Sequence, residues 1–296
     1  MTKSLAIIGA GRVGRALGRR LREAGWRVVL VSARSEAKAR SGAKFIGGGR
    51  AVAGVPASLI GAGVILLTVQ DDAVAAVAEE LAERCAGEIR GKVVLHTSGA
   101  LDSSVLHALR AQGAAVGSMH PMQTFSGVGI PTLVGKVFAI EGDDVAVRVA
   151  RRIARTHGGV PLGICAGQKP LYHAAGVFAA GMCLALEEAG VQVLMNVGLK
   201  RREAQRALLS LTRQVLEHYE KLGPQKAWTG PLARGDFRVL AAHEEALRGL
   251  QPEFLEAYRA MNQLGARVLA REPEPMLQEL SAMAGEEKNH LKAKGA

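Results

Sequence analysis

The sequence predicts an α/β chain: a doubly wound, mostly parallel sheet followed by an all-helical C-terminal domain. Apolar runs of strand length alternate with helical patterns through about residue 160, the order that βαβ units give. The segment "GAGRVG" directly follows the first apolar run and opens the first helix, which makes the sheet Rossmann-type. After Pro161 the strand patterns stop and long helical patterns take over, so the expected boundary divides 1–160 from 161–296.

Taken in order, "SLAIIG" is the first strand and a helix starts at Arg12, with Val13, Ala16, Leu17, Leu21 and Ala24 on one stripe and Arg15, Arg19 and Arg22 opposite. "WRVVLVS" and "GVILLTV" are the next strands, followed by a helix from Asp71, the strand "GKVVLHTS" and a helix from Asp102. Both aspartates suit N-caps. "AAVGSMH" is then expected to stop at His120-Pro121, because proline has no N–H to give to a ladder. "KVFAIEG" and a helix from Asp144 complete the first domain.

In the second domain, helices are expected from about Gln168 to Val197, from Lys200 to Leu222 and from Pro252 to Ala270. The middle one shows Leu208, Leu211, Val215 and Tyr219 at helical spacing. The first contains "AAGVFAAGMCLAL", an apolar run of 13 residues that ends at Glu187-Glu188. That run is shorter than the ~20 residues a bilayer span needs, so a buried central helix is expected. The terminal "AGEEKNHLKAKGA" is polar and expected to fray.

With 296 residues and 48% hydrophobic content the chain can bury a core in each domain. Cys85, Cys165 and Cys183 are odd in number and far apart, which argues against a disulfide framework or a metal site and fits a reducing cytoplasm. "MTKSLAIIGAG" lacks the apolar core and cleavage site of a signal peptide. The formal charge of +11 raises the possibility of nucleic acid, yet the basic residues lie in "RVGRALGRRLRE", "RVARRIAR" and "KRREAQR", on polar helix faces. Only 4% of residues are aromatic and no nucleic-acid motif is present, so small anionic ligands are the better expectation.

Gly9, Gly11 and Gly14 form GxGxxG between a strand and a helix. In that context they serve the tight turn, the close approach of a pyrophosphate, and helix-to-strand packing. Arg12 and Val13 open the helix whose free N–H groups face the phosphates. At the end of the second strand, where an acid would hold a ribose 2′-OH, the chain reads Ser32-Ala33-Arg34-Ser35. Arg34 can pair with a 2′-phosphate and Ser32 or Ser35 can hydrogen-bond it, so NADP(H) is expected over NAD(H). Thr68, Val69 and Gln70, and His96 to Gly99, end two further strands at the same crevice.

"GAGRVG", "SARS", "HTSGAL", "HPMQTF", "KPLYHAAGVFAA" and "TGPLARGD", in this order, resemble the bacterial family that joins a Rossmann-like domain to an uncharacterised helical domain, within the 6-phosphogluconate dehydrogenase superfamily. The resemblance covers nearly the whole chain to about residue 270. It implies a two-domain reductase or dehydrogenase, commonly dimeric through the helical domain, with substrate between the domains. Some members are thought to act as ketopantoate reductases. Where relatives tend to have Ser-Asn in the central helix, this chain has Ala180-Gly181.

Reducing a carbonyl or imine with NADPH needs the cofactor's hydride and a positioned proton donor. Lys169 and His173 are four apart and share a helix face. They resemble the Lys-then-Asn pair of beta-hydroxyacid dehydrogenases. Tyr172, about 100° from His173, is assigned a lesser role. His120 ends its strand, with Gln123 and Thr124 beside it as substrate-binding groups. "HPM" also resembles prephenate dehydrogenases. Ser98 could contact cofactor or substrate, whereas His96 could simply tie strand to loop. Arg234 could hold a substrate carboxylate in a fork, with Asp236 either orienting it or capping the next helix.

The leading expectation is an NADPH-dependent reductase of a small 2-oxo acid, with Lys169 or His120 giving the proton. The alternatives are a prephenate-like dehydrogenase and a non-catalytic NADP(H) sensor.

Overall fold

The structure, a computed structural model, describes residues 3–59, 61–127 and 129–283 in full and 284–294 through the backbone. The fraying expected from Ala284 onwards therefore falls outside the fully described residues.

β1 (Ser4–Ile8) is buried along its whole length, as a central parallel strand covered on both faces must be. It turns through Gly9–Gly11 into α1 (Arg12–Glu23), which lays Gly14, Leu17, Gly18 and Leu21 on the sheet. β2 (Arg27–Ala33), α2 (Glu36–Ile46), β3 (Arg50–Ala53), β4 (Val64–Leu67) and α3 (Val74–Arg84) follow. Then come β5 (Val93–His96), α4 (His107–Ala111), β6 (Ala115–Pro121), β7 (Val137–Gly142), α5 (Asp144–Thr156) and β8 (Val160–Gly163). The strand order is β3-β2-β1-β4-β5-β6-β7-β8. β6 and β7 run antiparallel; the other neighbouring strands are parallel. One core layer includes Leu17, Leu21, Ile46 and Ile153, and the layer on the opposite face includes Leu59, Leu81, Leu106 and Leu109.

Three elements were not apparent in the sequence. β3 and β8 are the two edge strands and are mostly exposed or half-buried, so neither shows a strong apolar pattern. β8 also carries Pro161, which an edge accommodates. α2 is capped by Ser35, whose hydroxyl accepts from the Lys38 N–H. The strand holding His120 ends at His-Pro as expected, with both residues still in register on β7: His120 pairs with Ala139 and Pro121 with Phe138. Pairing there is one-sided. β5 pairs with β6 only as far as Ser118, so beyond it the missing proline N–H leaves no ladder bond unmade.

The chain divides into two compact units, Met1–Gly181 and Met182–Ala296. A single turn at Ala166–Gln168 leads to α6 (Lys169–Val177), whose Pro170 sits in the first turn where no N–H is needed. A π-helical turn at Phe178–Met182 holds Ala180-Gly181 and ends the first unit. The second unit contains α7 (Cys183–Asn196), α8 (Arg201–Leu222), α9 (Pro224–Ala227), α10 (Phe237–Leu247), α11 (Pro252–Leu269) and α12 (Pro273–Lys294). Its own core gathers Leu232, Leu240, Ala266 and Leu280.

The expected buried central helix is not buried within one chain. The stretch Ala166–Asn196 is long and apolar enough, by length and composition, to cross a bilayer, and only 6% of its most apolar window is covered. Leu171, Phe178 and Leu184 are exposed. An apolar helix face demands cover, but its pattern does not say which chain supplies it.

A Cβ on Gly14 would collide with the Gly9 carbonyl oxygen and Thr68 Oγ1, so α1 sits on β1 only because that side chain is absent. Gly14→Ala should lower stability by about 1–3 kcal/mol, the usual cost of overpacking, read from the denaturant midpoint. An unchanged midpoint would show that the turn repacks freely.

Candidate functional site

The crevice lies at the carboxyl ends of β1, β4, β5 and β6, four parallel neighbours whose ends stand side by side. From the glycine turn to the end of β6 is three strand spacings, about 14 Å at ~4.8 Å each.

At the first of these ends Gly9 has φ +105°, and a Cβ there would press on the Thr68 backbone at 2.7 Å. The Gly9 and Ala10 N–H groups donate to the Ser32 carbonyl, and Thr68 Oγ1 donates to the Gly9 carbonyl at 2.6 Å. Thr68 thus locks the turn. Around it opens a cavity of about 880 Å³ lined by Gly9, Gly11, Arg12, Arg34, Val69 and Gln70 among others. A Cβ on Gly11 would meet only open space, the opening a pyrophosphate would fill. Arg12, Arg34 and Lys38 line the cavity and make no ion pair among the described residues. Lys38 was missed in the sequence, although it stands one helical turn beyond Arg34. Ser32 is nearly sealed and its hydroxyl donates to the Gly54 carbonyl, so it builds the turn's floor. A dinucleotide with a 2′-phosphate fits this lining.

The second group of side chains is set by strand alternation. Ser118 and His120 point to the same face of β6, and Ser118 stands beside His96 of β5. α6 meets that face with Lys169, Tyr172 and His173. Tyr172 therefore belongs to the site: three residues from Lys169 it shares Lys169's face, a spacing that comparison with His173 alone obscured. Its hydroxyl lies 3.0 Å from His120 Nδ1. His120 and His173 meet edge to face with centroids 5.9 Å apart. Both rest on Gly99, where a Cβ would stand 2.6 Å from His173 Cδ2 and 3.0 Å from His120 Nε2.

Lys169 has no exposed surface. Its ammonium donates to the Ser98 carbonyl at 2.7 Å and to Ser118 Oγ. The ammonium is sealed from solvent. Burial draws its pKa down to about 8, against the pull of Glu141, Asp71 and Asp102. Burial and the Lys169 and His173 charges draw His120 down to about 4, so its ring is neutral near pH 7. Burial pushes the Tyr172 phenol up to about 12, which keeps its proton in place.

The remaining expected residues have definite places. His96, fully buried and lowered to about 4 by burial, accepts the Ser98 N–H at Nδ1 and donates from Nε2 to the Asp102 carbonyl. It ties strand to loop. Ser98 Oγ donates to Asp71 Oδ2 at 2.7 Å and accepts from the Ala100 and Leu101 N–H groups. Its hydroxyl is thus engaged in holding the loop. Asp102 caps the turn at Ser103–Leu106, whereas Asp71 is no cap but the acceptor for Ser98. Gln123 and Thr124 lie after β6, Gln123 half-buried and Thr124 exposed. In the second unit Asp236 caps α10 and Arg234 is exposed at the end of a single helical turn. Cys85 is buried, Cys165 and Cys183 are exposed, and no metal-binding cluster occurs among the described residues.

Residues 2–121 match the Rossmann-like domain family, and residues 136–264 match a domain of unknown function, DUF2520, from β7 onwards. No curated protein matches the sequence. Among solved structures, a Bacteroides fragilis protein described as an NADP oxidoreductase is similar at 22% identity and TM-score 0.74, over 89% of this chain and 97% of that one. A reductive aminase from Aspergillus terreus in complex with NADPH and ethyl-5-oxohexanoate is similar at 20% identity and TM-score 0.67, over 90% and 94%. A pyrroline-5-carboxylate reductase from Coxiella burnetii follows at 16% identity and TM-score 0.56, over 90% and 98%. At these identities the likeness is one of fold: a segment that matches the Rossmann-like family followed by one that matches DUF2520, in an architecture shared with these solved structures.

Proposed function

We propose that the chain is an NADPH-dependent oxidoreductase that reduces a small 2-oxo acid, with ketopantoate as the named candidate. The observation that carries this reading is the juxtaposition, along one sheet edge, of a glycine turn with free cations and a neutral His120–Tyr172 pair. When bound, NADPH supplies the hydride. Arg12 would neutralise the pyrophosphate, and Arg34 with Lys38 would hold a 2′-phosphate. Taken as the donor to His120 Nδ1, 3.0 Å away, the Tyr172 hydroxyl leaves the ring proton on Nε2, the nitrogen nearest Gly99. That N–H polarises the substrate oxygen, a role a neutral imidazole fills well. Lys169 contributes a positive charge beneath the site, which favours the negative charge growing on that oxygen.

The likeness to a reductive aminase and a pyrroline-5-carboxylate reductase supports a second reading, in which the reduced bond is C=N. His120 would serve it equally, by donating to nitrogen. NADPH absorbance followed across 2-oxo acids, with and without added amine, separates the two. Turnover on the acids alone supports the first reading. Turnover that needs amine supports the second, and tight NADPH binding with no turnover on any member overturns both in favour of a sensor.

Arg34→Ala should weaken NADPH binding by about 10- to 100-fold and leave NADH nearly unchanged, since one charge-assisted pair contributes ~1.5–3 kcal/mol. Equal losses for both cofactors would remove Arg34 from the 2′-phosphate site.

We also propose a homodimer in which a second copy covers exposed apolar side chains of the stretch Ala166–Asn196, among them Leu171, Phe178 and Leu184, and of α8, among them Leu211 and Leu216. Sedimentation should give twice the 31.1 kDa chain mass. A monomer at micromolar concentration would overturn this.

A further inference from the structure

Lys169 buries an ammonium completely, and its two hydrogen bonds go to neutral oxygens. A buried cation of this kind needs a counter-charge. β7 provides one at a position that no site motif includes. Glu141 pairs with Ser118 across the antiparallel β6–β7 register, so the two side chains share a face. Glu141 is only 7% exposed. Its Oε2 accepts from Ser103 Oγ at 2.8 Å, whereas its Oε1 is buried with no hydrogen-bond partner.

Ser118 Oγ accepts from Lys169, which leaves its hydroxyl proton to give. Across the β6–β7 register Glu141 Oε1 is an unmet acceptor on the same face as Ser118, and Ser103 fixes the carboxylate by its other oxygen. No hydrogen bond joins Oε1 to Ser118, so the carboxylate acts on the ammonium by its charge. Glu141 also lines an open cavity of about 590 Å³ with Arg110, Cys165 and Gln168.

We propose that Glu141 is a positioning residue whose buried carboxylate, on the sheet face that receives Lys169, keeps the Lys169 ammonium charged. Its part in turnover rests on the reductase reading; the pairing itself does not. The other groups facing Lys169 are Asp71 and Asp102, which also favour its charge, and the imidazoles of His96 and His120, which are neutral near pH 7. Among the attractive charges Glu141 acts most strongly on Lys169. Burial raises the Glu141 pKa and Lys169 opposes that rise, as a coupled pair requires.

The sign of the effect is fixed. Lys169 is charged below its pKa, and removing a nearby anion lowers that pKa further. Glu141→Gln keeps an oxygen for Ser103 and loses only the charge. In protein labelled with ¹⁵N-lysine, with the Lys169 signal assigned through Lys169→Met, the Nζ titration midpoint should fall by about one unit or more. Glu141→Asp should restore part of the fall, and Ser118→Ala, which removes an acceptor of the ammonium but keeps the carboxylate, should give a smaller one. The alkaline limb of NADPH-dependent turnover should move to lower pH by the same amount. NADPH affinity, measured in parallel, reports that each variant is folded.

An unchanged midpoint in Glu141→Gln that still binds NADPH overturns the proposal. If Glu141→Gln does not fold, an unchanged midpoint in both Glu141→Asp and Ser118→Ala does the same. A shifted midpoint with no turnover on any substrate supports the pairing and overturns the reductase reading alone.

Discussion

The candidate site depends on where the Lys169 ammonium rests. Taking such a group out of water costs several kcal/mol unless its protons find acceptors and its charge finds an opposite. The sequence meets the first need with the Ser98 carbonyl and the Ser118 hydroxyl, one at the end of β5 and one inside β6. Both bonds run from α6 to the sheet, so they fix the helix start against the strand ends. Tyr172 and His173 follow Lys169 on the same face and are carried onto His120 by the same docking. If Lys169 moved, the tyrosine–histidine pair would come apart with it.

The glycine turn is the complementary constraint. Gly9, Gly14 and Thr68 occupy a space that admits no further atom, and Thr68 closes it by giving its proton to the Gly9 carbonyl. Close packing here leaves the N–H groups at the start of α1 facing the cavity. The same loop-and-strand geometry recurs at β5, where Ser98 gathers two backbone N–H groups onto its hydroxyl oxygen and Gly99 leaves room for two imidazoles. In both places a hydroxyl satisfies the backbone at a strand end and a nearby glycine leaves the crevice open.

These mechanisms explain what the sequence could and could not reveal. Buried central strands and the first helix were legible, because period and apolar content fix them. β3, β8 and α2 were not, since edge strands and half-exposed helices bury too little to leave a clear pattern. GxGxxG located the nucleotide end because its glycines are demanded by backbone geometry. The roles within the second cluster were harder to read. Lys169 and His120 were both visible as candidates, but the complete burial of the lysine is a property of the folded chain that helical spacing does not reveal. Glu141 gave no signal, since a carboxylate in "KVFAIEG" reads as the solvent face of a strand until its register with Ser118 is known.

The distribution of positive charge carries the last step. Along the polar helix faces many basic side chains stand one turn from an acid: Arg19 with Glu23, Arg40 with Glu36, Arg84 with Glu80 and Lys221 with Glu217. Such exposed pairs add little stability, but they neutralise the field locally. Arg12, Arg34 and Lys38 are different, for they line one cavity and make no ion pair among the described residues. A polyanion would need a stripe of such cations across the surface. Cations gathered around a glycine turn suit a compact anionic ligand better than a polyanion. The chain's net charge of +11 therefore says less about its ligand than the cations that line this one cavity.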